Sequence, residues 1–155
     1  MREAANSIAS AVGKGLLAGF AGTAAMTVSS TLEARLRGRA ASSAPARATA
    51  KMLGIKEFDN DIARARFNDL SHWATAPAGA CSAACSRPSG MTPRAATAAH
   101  GAAIYGAAQV TLPALDIAPP VVFWPKEEVA IDVFHHAVYA AATGAAYELI
   151  GNGRR

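Results

Sequence analysis

Four charge-free apolar windows, separated by charged connections, predict an all-α fold: an integral membrane bundle of four helices with short amphipathic helices in the first connection. The first observation behind this is charge segregation. Only 17% of the 155 residues are charged and 52% are hydrophobic, whereas soluble domains carry roughly a quarter charged residues. The mean hydropathy of +0.17 is modest because the charges are concentrated in connections and not spread along the chain. Windows 15–32, 70–86, 95–115 and 133–147 contain no Asp, Glu, Lys or Arg. The second observation is length. A spanning helix needs about 20 mostly apolar residues, and the windows extend to candidate spans 14–33, 69–87, 94–115 and 129–150 within a single domain, 1–155.

The first and third windows meet that length directly. The fourth does so by starting near Val129 and admitting Asp132, and the second is marginal. The competing fold is a soluble alanine-rich bundle, since alanine favours helix but anchors weakly in lipid. A soluble helix shows charge at every turn of its outer face, and these windows show none. The first window could also be a signal peptide. Glu3 in a long leading region, and no clean small-x-small site before Glu33, favour an uncleaved helix.

A net charge of +4 and a pI near 9.4 raise nucleic acid as a partner. The basic residues argue otherwise, because most follow the first window: Arg35, Arg37, Arg39, Arg47, Lys51, Lys56, Arg64 and Arg66. Such flanking charge marks the cytoplasmic side of a membrane segment. Arg2, Lys14, Arg87, Arg94, Arg154 and Arg155 argue for the opposite side, so orientation stays open. The partners implied are the lipid bilayer and a second copy of the chain as a homo-oligomer, with no nucleic acid.

In window one, Gly15 and Gly19 have GxxxG spacing, and Gly22 with Ala25 continues a face that lets helices approach closely in lipid. Gly101, Gly106 and Gly144 are candidates for the same packing role. The connection 33–69 predicts two short helices. One is capped by Ser42 or Ser43, has Pro45 early and is closed by Gly54; the other starts near Asp59 or Asn60. The second helix sets Ile62, Ala63, Phe67 and Leu70 against Asp61, Arg64 and Asn68. It suits a helix lying on a membrane surface or one packed on the protein itself. Pro113, Pro119, Pro120 and Pro125 make the next connection irregular, with Phe123 and Trp124 suited to a membrane–water interface. Pro125 at N1, followed by Lys126, Glu127 and Glu128, begins the last helix.

All four histidines lie in or beside apolar windows: His72, His100, His135 and His136. Asp132, His135 or His136, Tyr139, Thr143 and Tyr147 recur at spacings of three and four, forming one polar stripe. Polar groups are costly in lipid, so this stripe faces other helices. With Glu33 and Tyr105, these are the candidate intramembrane polar residues. The histidines could relay protons with Asp132 and Glu33, ligate a metal or haem, or hydrogen-bond between helices. No His-x-x-x-His pair or metalloprotease motif is present, so no cofactor is predicted; haem or a transition metal on His72, His100 and His136 is the alternative. No phosphate-binding loop or GxSxG occurs, and Ser29, Ser30 and Thr31 read as ordinary small residues, so no catalytic residue is assigned. The function implied is non-enzymatic, a membrane component handling small solutes or ions.

Segment 74–90 changes composition. It holds both cysteines, Cys81 and Cys85, together with Pro77 and Pro88. GC-rich codons for it, read one nucleotide earlier, can encode Gly-Tyr-Gly-Thr-Gly-Trp-Gly and then an apolar run. That reading would extend His72 and Trp73 into a His, Tyr and Gly grouping like those of windows three and four. The segment is therefore read as lying between compensating frameshifts, and its cysteines are not assigned a function.

The glycine-rich first helix, the run Asn68, Leu70, His72 and Trp73, HGAAIYG at 100–106, Trp124-Pro125 and HHAVYAAATG at 135–144 together resemble YagU-like proteins. These and related families are small, uncharacterised bacterial inner-membrane proteins with four predicted helices. The resemblance spans about 15–151. It implies a multi-pass protein of the cell inner membrane and carries no catalytic residues with it.

Resequencing the gene is expected to place one insertion or deletion near Trp73 and a compensating one before Met91. An error-free frame encoding these residues leaves a true mutation or no shift at all.

Overall fold

The first 35-residue stretch contains no proline, is rich in alanine and folds as one helix, α1, Arg2–Leu36, about 52 Å long at 1.5 Å per residue. The computed structural model describes residues 2–40, 42–74 and 90–152. Among these, every regular element is helical. Helix α2 is Ala44–Met52, α3 is Asp61–Ala74, α4 is Pro93–Ala114 and α5 is Lys126–Asn152, with a 3-10 turn at Val121–Phe123 before α5.

Local chemistry explains where these helices begin. The Thr92 side chain accepts a hydrogen bond from the Ala95 amide, and Pro93 occupies the first helical position, where its missing N–H costs nothing. Asn60 Oδ1, on the side chain, likewise accepts from the Ala63 amide at 2.8 Å. Ser43 precedes α2 without a side-chain cap; Ser42 Oγ accepts from the Ala44 amide instead. Pro125 sits just before α5, one position earlier than its predicted place at N1, and its carbonyl accepts the Val129 amide.

Three helices end in the same way. After α1, the Arg39 amide bonds Ala34 O and the Gly38 amide bonds Arg35 O, with Gly38 at φ +62°. This is the Schellman arrangement. Gly54 repeats it after α2. After α4 the left-handed position falls on Asp116, at φ +48°, one of the few non-glycine residues that tolerate it. Lys51 of α2 bonds Leu115 O at 2.6 Å and Asp116 Oδ2 at 3.1 Å, tying α2 to this end of α4.

Helix α5 packs against both long helices, and each pairing is antiparallel. On α1, Gly22 lies against Tyr139 and Thr143, while Arg37 reaches Glu128. On α4, Thr97 meets Gly144, Gly101 meets Ala140, and Gln109 meets Asp132. The end of α3 leans on α1 through Phe20 and Trp73, with ring centroids 6.4 Å apart. Phe58 and Phe67 join the α2–α3 connection to α3 at 5.1 Å.

The side chains inside the fold are small or polar. Ala18, Ala34 and Ala140 are buried, as are Thr23, His100, His135 and Thr143, with Tyr139 and Tyr147 the large buried residues of α5. The bulky aliphatics lie outside: Val28 is 69% exposed, Leu36 79% and Leu149 73%. On α3 the packed side is Ala63, Phe67 and Ser71, whereas Ile62 and Leu70 of the expected apolar face remain exposed.

Among the described residues one helix is long and apolar enough to cross a membrane, α1 over Ala9–Leu36. Only 28% of its most apolar window is buried, unlike the core helix of a soluble protein. The helical extents of α4 and α5 lie close to the expected spans 94–115 and 129–150, but His100, Tyr105 and Gln109, and Asp132, His135 and His136, lower their hydropathy. The expected span 69–87 begins inside α3; its continuation, the frameshift reading and both cysteines fall outside the described residues.

A Cβ on Gly22 would sit 2.9 Å from Tyr139 O and even nearer Thr143 Oγ1. Gly22→Ala is therefore expected to lower stability by about 1–3 kcal/mol, the usual cost of overpacking. Gly106 has nothing within 4 Å of its Cβ direction, so Gly106→Ala should be neutral or stabilising by up to about 1 kcal/mol. Thermal unfolding of both variants followed by circular dichroism checks the pair.

Candidate functional site

The polar residues of α5 divide between its two neighbours. His135 and Tyr139 turn to α1, and Asp132 and His136 turn to α4. The single stripe expected from spacing is thus two edges of one helix, because residues 135 and 136 lie about 100° apart around it.

The α1 edge holds the more developed arrangement. His135 is buried, and its Nδ1 lies 2.9 Å from Ser29 Oγ. The Ser29 hydroxyl also lies 3.0 Å from Met26 O. A hydroxyl has one proton to give: given to Met26 O, it makes the His135 Nδ1–H the donor in the Ser29 contact; given to Nδ1, it puts the ring proton on Nε2. In the first arrangement Nε2 carries the ring's lone pair. Nε2 is buried, has no hydrogen-bond partner among the described residues, and faces Glu33 Oε2 at 3.8 Å. In this form a lone pair opposes a carboxylate. One added proton on Nε2 converts that opposition into an ion pair.

Glu33 is held from its other side. Arg37 Nη1 donates to Oε1 at 3.1 Å and Arg39 Nε donates to Oε1 at 3.0 Å, with Arg39 Nη2 also on Oε2. Arg37 continues to Glu128 at 2.5 Å and lies 3.5 Å from Glu127, both in the first turn of α5. The Arg37 hydrogen bond holds the Glu128 carboxyl below its ordinary value of 4.5, opposed by partial desolvation. Reciprocally, the bond to Glu128 pushes the Arg37 guanidinium upward, so it stays charged.

On the α4 edge, Asp132 Oδ2 accepts from Gln109 Nε2 at 3.1 Å. His136 Nδ1 lies 2.8 Å from Asp132 O and 3.4 Å from its Oδ1. The Tyr105 ring meets His136 edge-on at 5.2 Å. His100, 2% exposed, stacks obliquely on Tyr139 with centroids 5.7 Å apart. His72 is placed on α1: its Nε2 lies 2.6 Å from Thr27 Oγ1, which itself donates to Thr23 O.

His72, His100 and His136 therefore take different neighbours on different helices, and among the described residues no group of three His, Cys, Asp or Glu side chains is arranged to hold a metal ion. Gly15, Gly19 and Gly22 are buried along α1, and Gly101 and Gly144 lie at the α4–α5 crossing. Gly106 is exposed, with open space where a side chain would go among the described residues.

No family model, curated protein or solved structure matches the chain. The site is therefore read from its own geometry. Ser29, Thr27, Gln109 and Arg39 take part in it although the sequence did not single them out as site residues. Ser29 stands four residues before Glu33, on the same helical face, which is the signal that could have found it.

The Arg37–Glu128 pair yields a pH dependence. Glu128 titrates lower in the fold than in the unfolded chain, so its stabilisation is complete above about 4.5 and is lost as pH falls below it. Melting temperatures of wild type and Arg37→Gln should differ at neutral pH and converge on acidification through that range. Curves that stay parallel would contradict the pairing.

Proposed function

We propose that the protein is a small multi-pass protein of the cell inner membrane, a four-helix bundle in which the Glu33–His135 pair binds and releases a proton during the movement of ions or small solutes. The observation that carries this reading is the buried His135 Nε2 facing Glu33 across 3.8 Å, a separation at which a protonated ring and the carboxylate would form an ion pair. Ionisable groups between apolar helices are costly and occur where protons or ions pass.

The membrane setting has its own support. Small and polar side chains fill the interior and large aliphatics face outward, as bundles surrounded by lipid are built. The outward apolar side of α1 and the resemblance to small inner-membrane proteins point the same way. Asp132 and His136, linked to α4 through Gln109, would be a second proton-carrying pair on the opposite edge of α5.

Reconstitution into vesicles loaded with a pH-sensitive dye tests the reading. Protein-containing vesicles should dissipate an imposed proton gradient faster than empty ones. Glu33→Gln and His135→Asn should each slow this by about tenfold or more, equivalent to roughly 1.4 kcal/mol in the barrier, while Val28→Ala on the outer face of α1 should leave it unchanged. Wild-type vesicles no leakier than empty ones, with or without a membrane potential, would reject proton handling. Recovery of the protein in the soluble fraction of lysed cells would reject the membrane setting.

A further inference from the structure

Helices α4 and α5 form a groove of about 610 Å³ along the side where they meet. Its walls are smooth. Ala98 and Ala102 on α4, and Ala137, Ala141 and Ala145 on α5, line it and are exposed, each set repeating at intervals of four. In lipid, such spacing lets another helix approach closely. Two further features of the groove narrow the occupant. Tyr105 and His136 form part of its wall, and acyl chains offer them no polar partner. Arg94 and Glu148 stand on opposite walls at one end, and neither takes part in an ion pair among the described residues.

We propose that this groove is the interface for a second copy of the chain, with Arg94 of each copy paired to the partner's Glu148. The charges select the symmetry. Because α4 and α5 are antiparallel, the start of α4 and the end of α5 share one end of the groove. A two-fold axis along the helices sets α4 of one copy beside α5 of the other, so both oppositely charged pairs form at once. A two-fold axis across the helices would bring that charged end to the Tyr105 and Val133 end, leaving Arg94 and Glu148 unpaired. The axis along the helices also gives both copies the same orientation in a bilayer. The assembled α4 and α5 pairs make a four-helix unit, closed over His136 and Tyr105, with α1 of each copy outside it.

This inference rests on the membrane setting proposed above, but its test needs no transport measurement. In the full chain carrying Cys81→Ser and Cys85→Ser, an Ala98→Cys copy mixed with an Ala141→Cys copy should form a disulfide-linked dimer between α4 of one and α5 of the other on mild oxidation in vesicles, whereas Val28→Cys on the outer face of α1 should not. Arg94→Glu and Glu148→Arg should each weaken the dimer in detergent by about tenfold through like-charge contacts, and the double exchange should restore it. Restoration separates charge pairing from misfolding.

A wild-type chain that stays monomeric at all protein-to-detergent ratios would overturn the inference, as would lipid retained in the groove of that monomer. So would equal cross-linking at Val28→Cys, or a double exchange as weak as the single ones. A dimer that passes no protons defeats the proton reading alone; a proton-conducting monomer defeats this one alone.

Discussion

The closeness of α1 to α5 at Gly22 is the constraint on which the other contacts depend. With no side chain at that position, the α1 backbone reaches the Tyr139 carbonyl and the Thr143 hydroxyl. Only at that separation can a side chain as short as serine, one and a half to two turns along α1, touch His135. Glu33 follows one turn later and faces the other ring nitrogen. The Ser29–His135–Glu33 geometry is thus a consequence of helix spacing, and spacing is a consequence of glycine. The same relation recurs on the opposite edge of α5, where Gly101 and Gly144 bring α4 near enough for Gln109 to reach Asp132.

Helical structure was legible in the sequence because its signals are local. Asn60 and Gly54, read as boundary residues, each act within a few residues and stand at a helix boundary; Thr92 with Pro93 and Gly38 do the same, although they were not singled out in the sequence. Charge segregation located the long helices. It could not say how many of them cross a membrane, since His100, Gln109 and Asp132 make α4 and α5 too polar for hydropathy to separate a spanning helix from a buried one. The amphipathic face assigned to α3 shows a related limit. Periodicity found an apolar side, but the packed strip is Ala63, Phe67 and Ser71, because α3 packs mainly on α2 and its connection and meets α1 only at its last turn.

The candidate site was legible in its titratable members and illegible in its neutral ones. Histidines and carboxylates stand out in an apolar chain, so His135, His136, Asp132 and Glu33 were visible at once. Ser29, Thr27 and Gln109 have no such contrast. Their part follows from which helix lies opposite, a long-range fact that spacing within one helix does not contain. The adjacent pair His135 and His136 is the clearest example: neighbours in sequence, they serve different helices.

The charged cluster at the end of α1 has a mechanical consequence. Arg37 and Arg39 grip Glu33, and Arg37 also holds Glu128, so the last turn of α1 and the first turn of α5 are clasped side by side. Sliding either helix along the other by one turn, about 5.4 Å, would break this clasp together with the close Gly22 contact. In a bilayer the same group of charges cannot follow the helices into the hydrocarbon. In the membrane setting proposed above it would therefore act as a depth stop, fixing how far α1 sinks and keeping Glu33 at the surface.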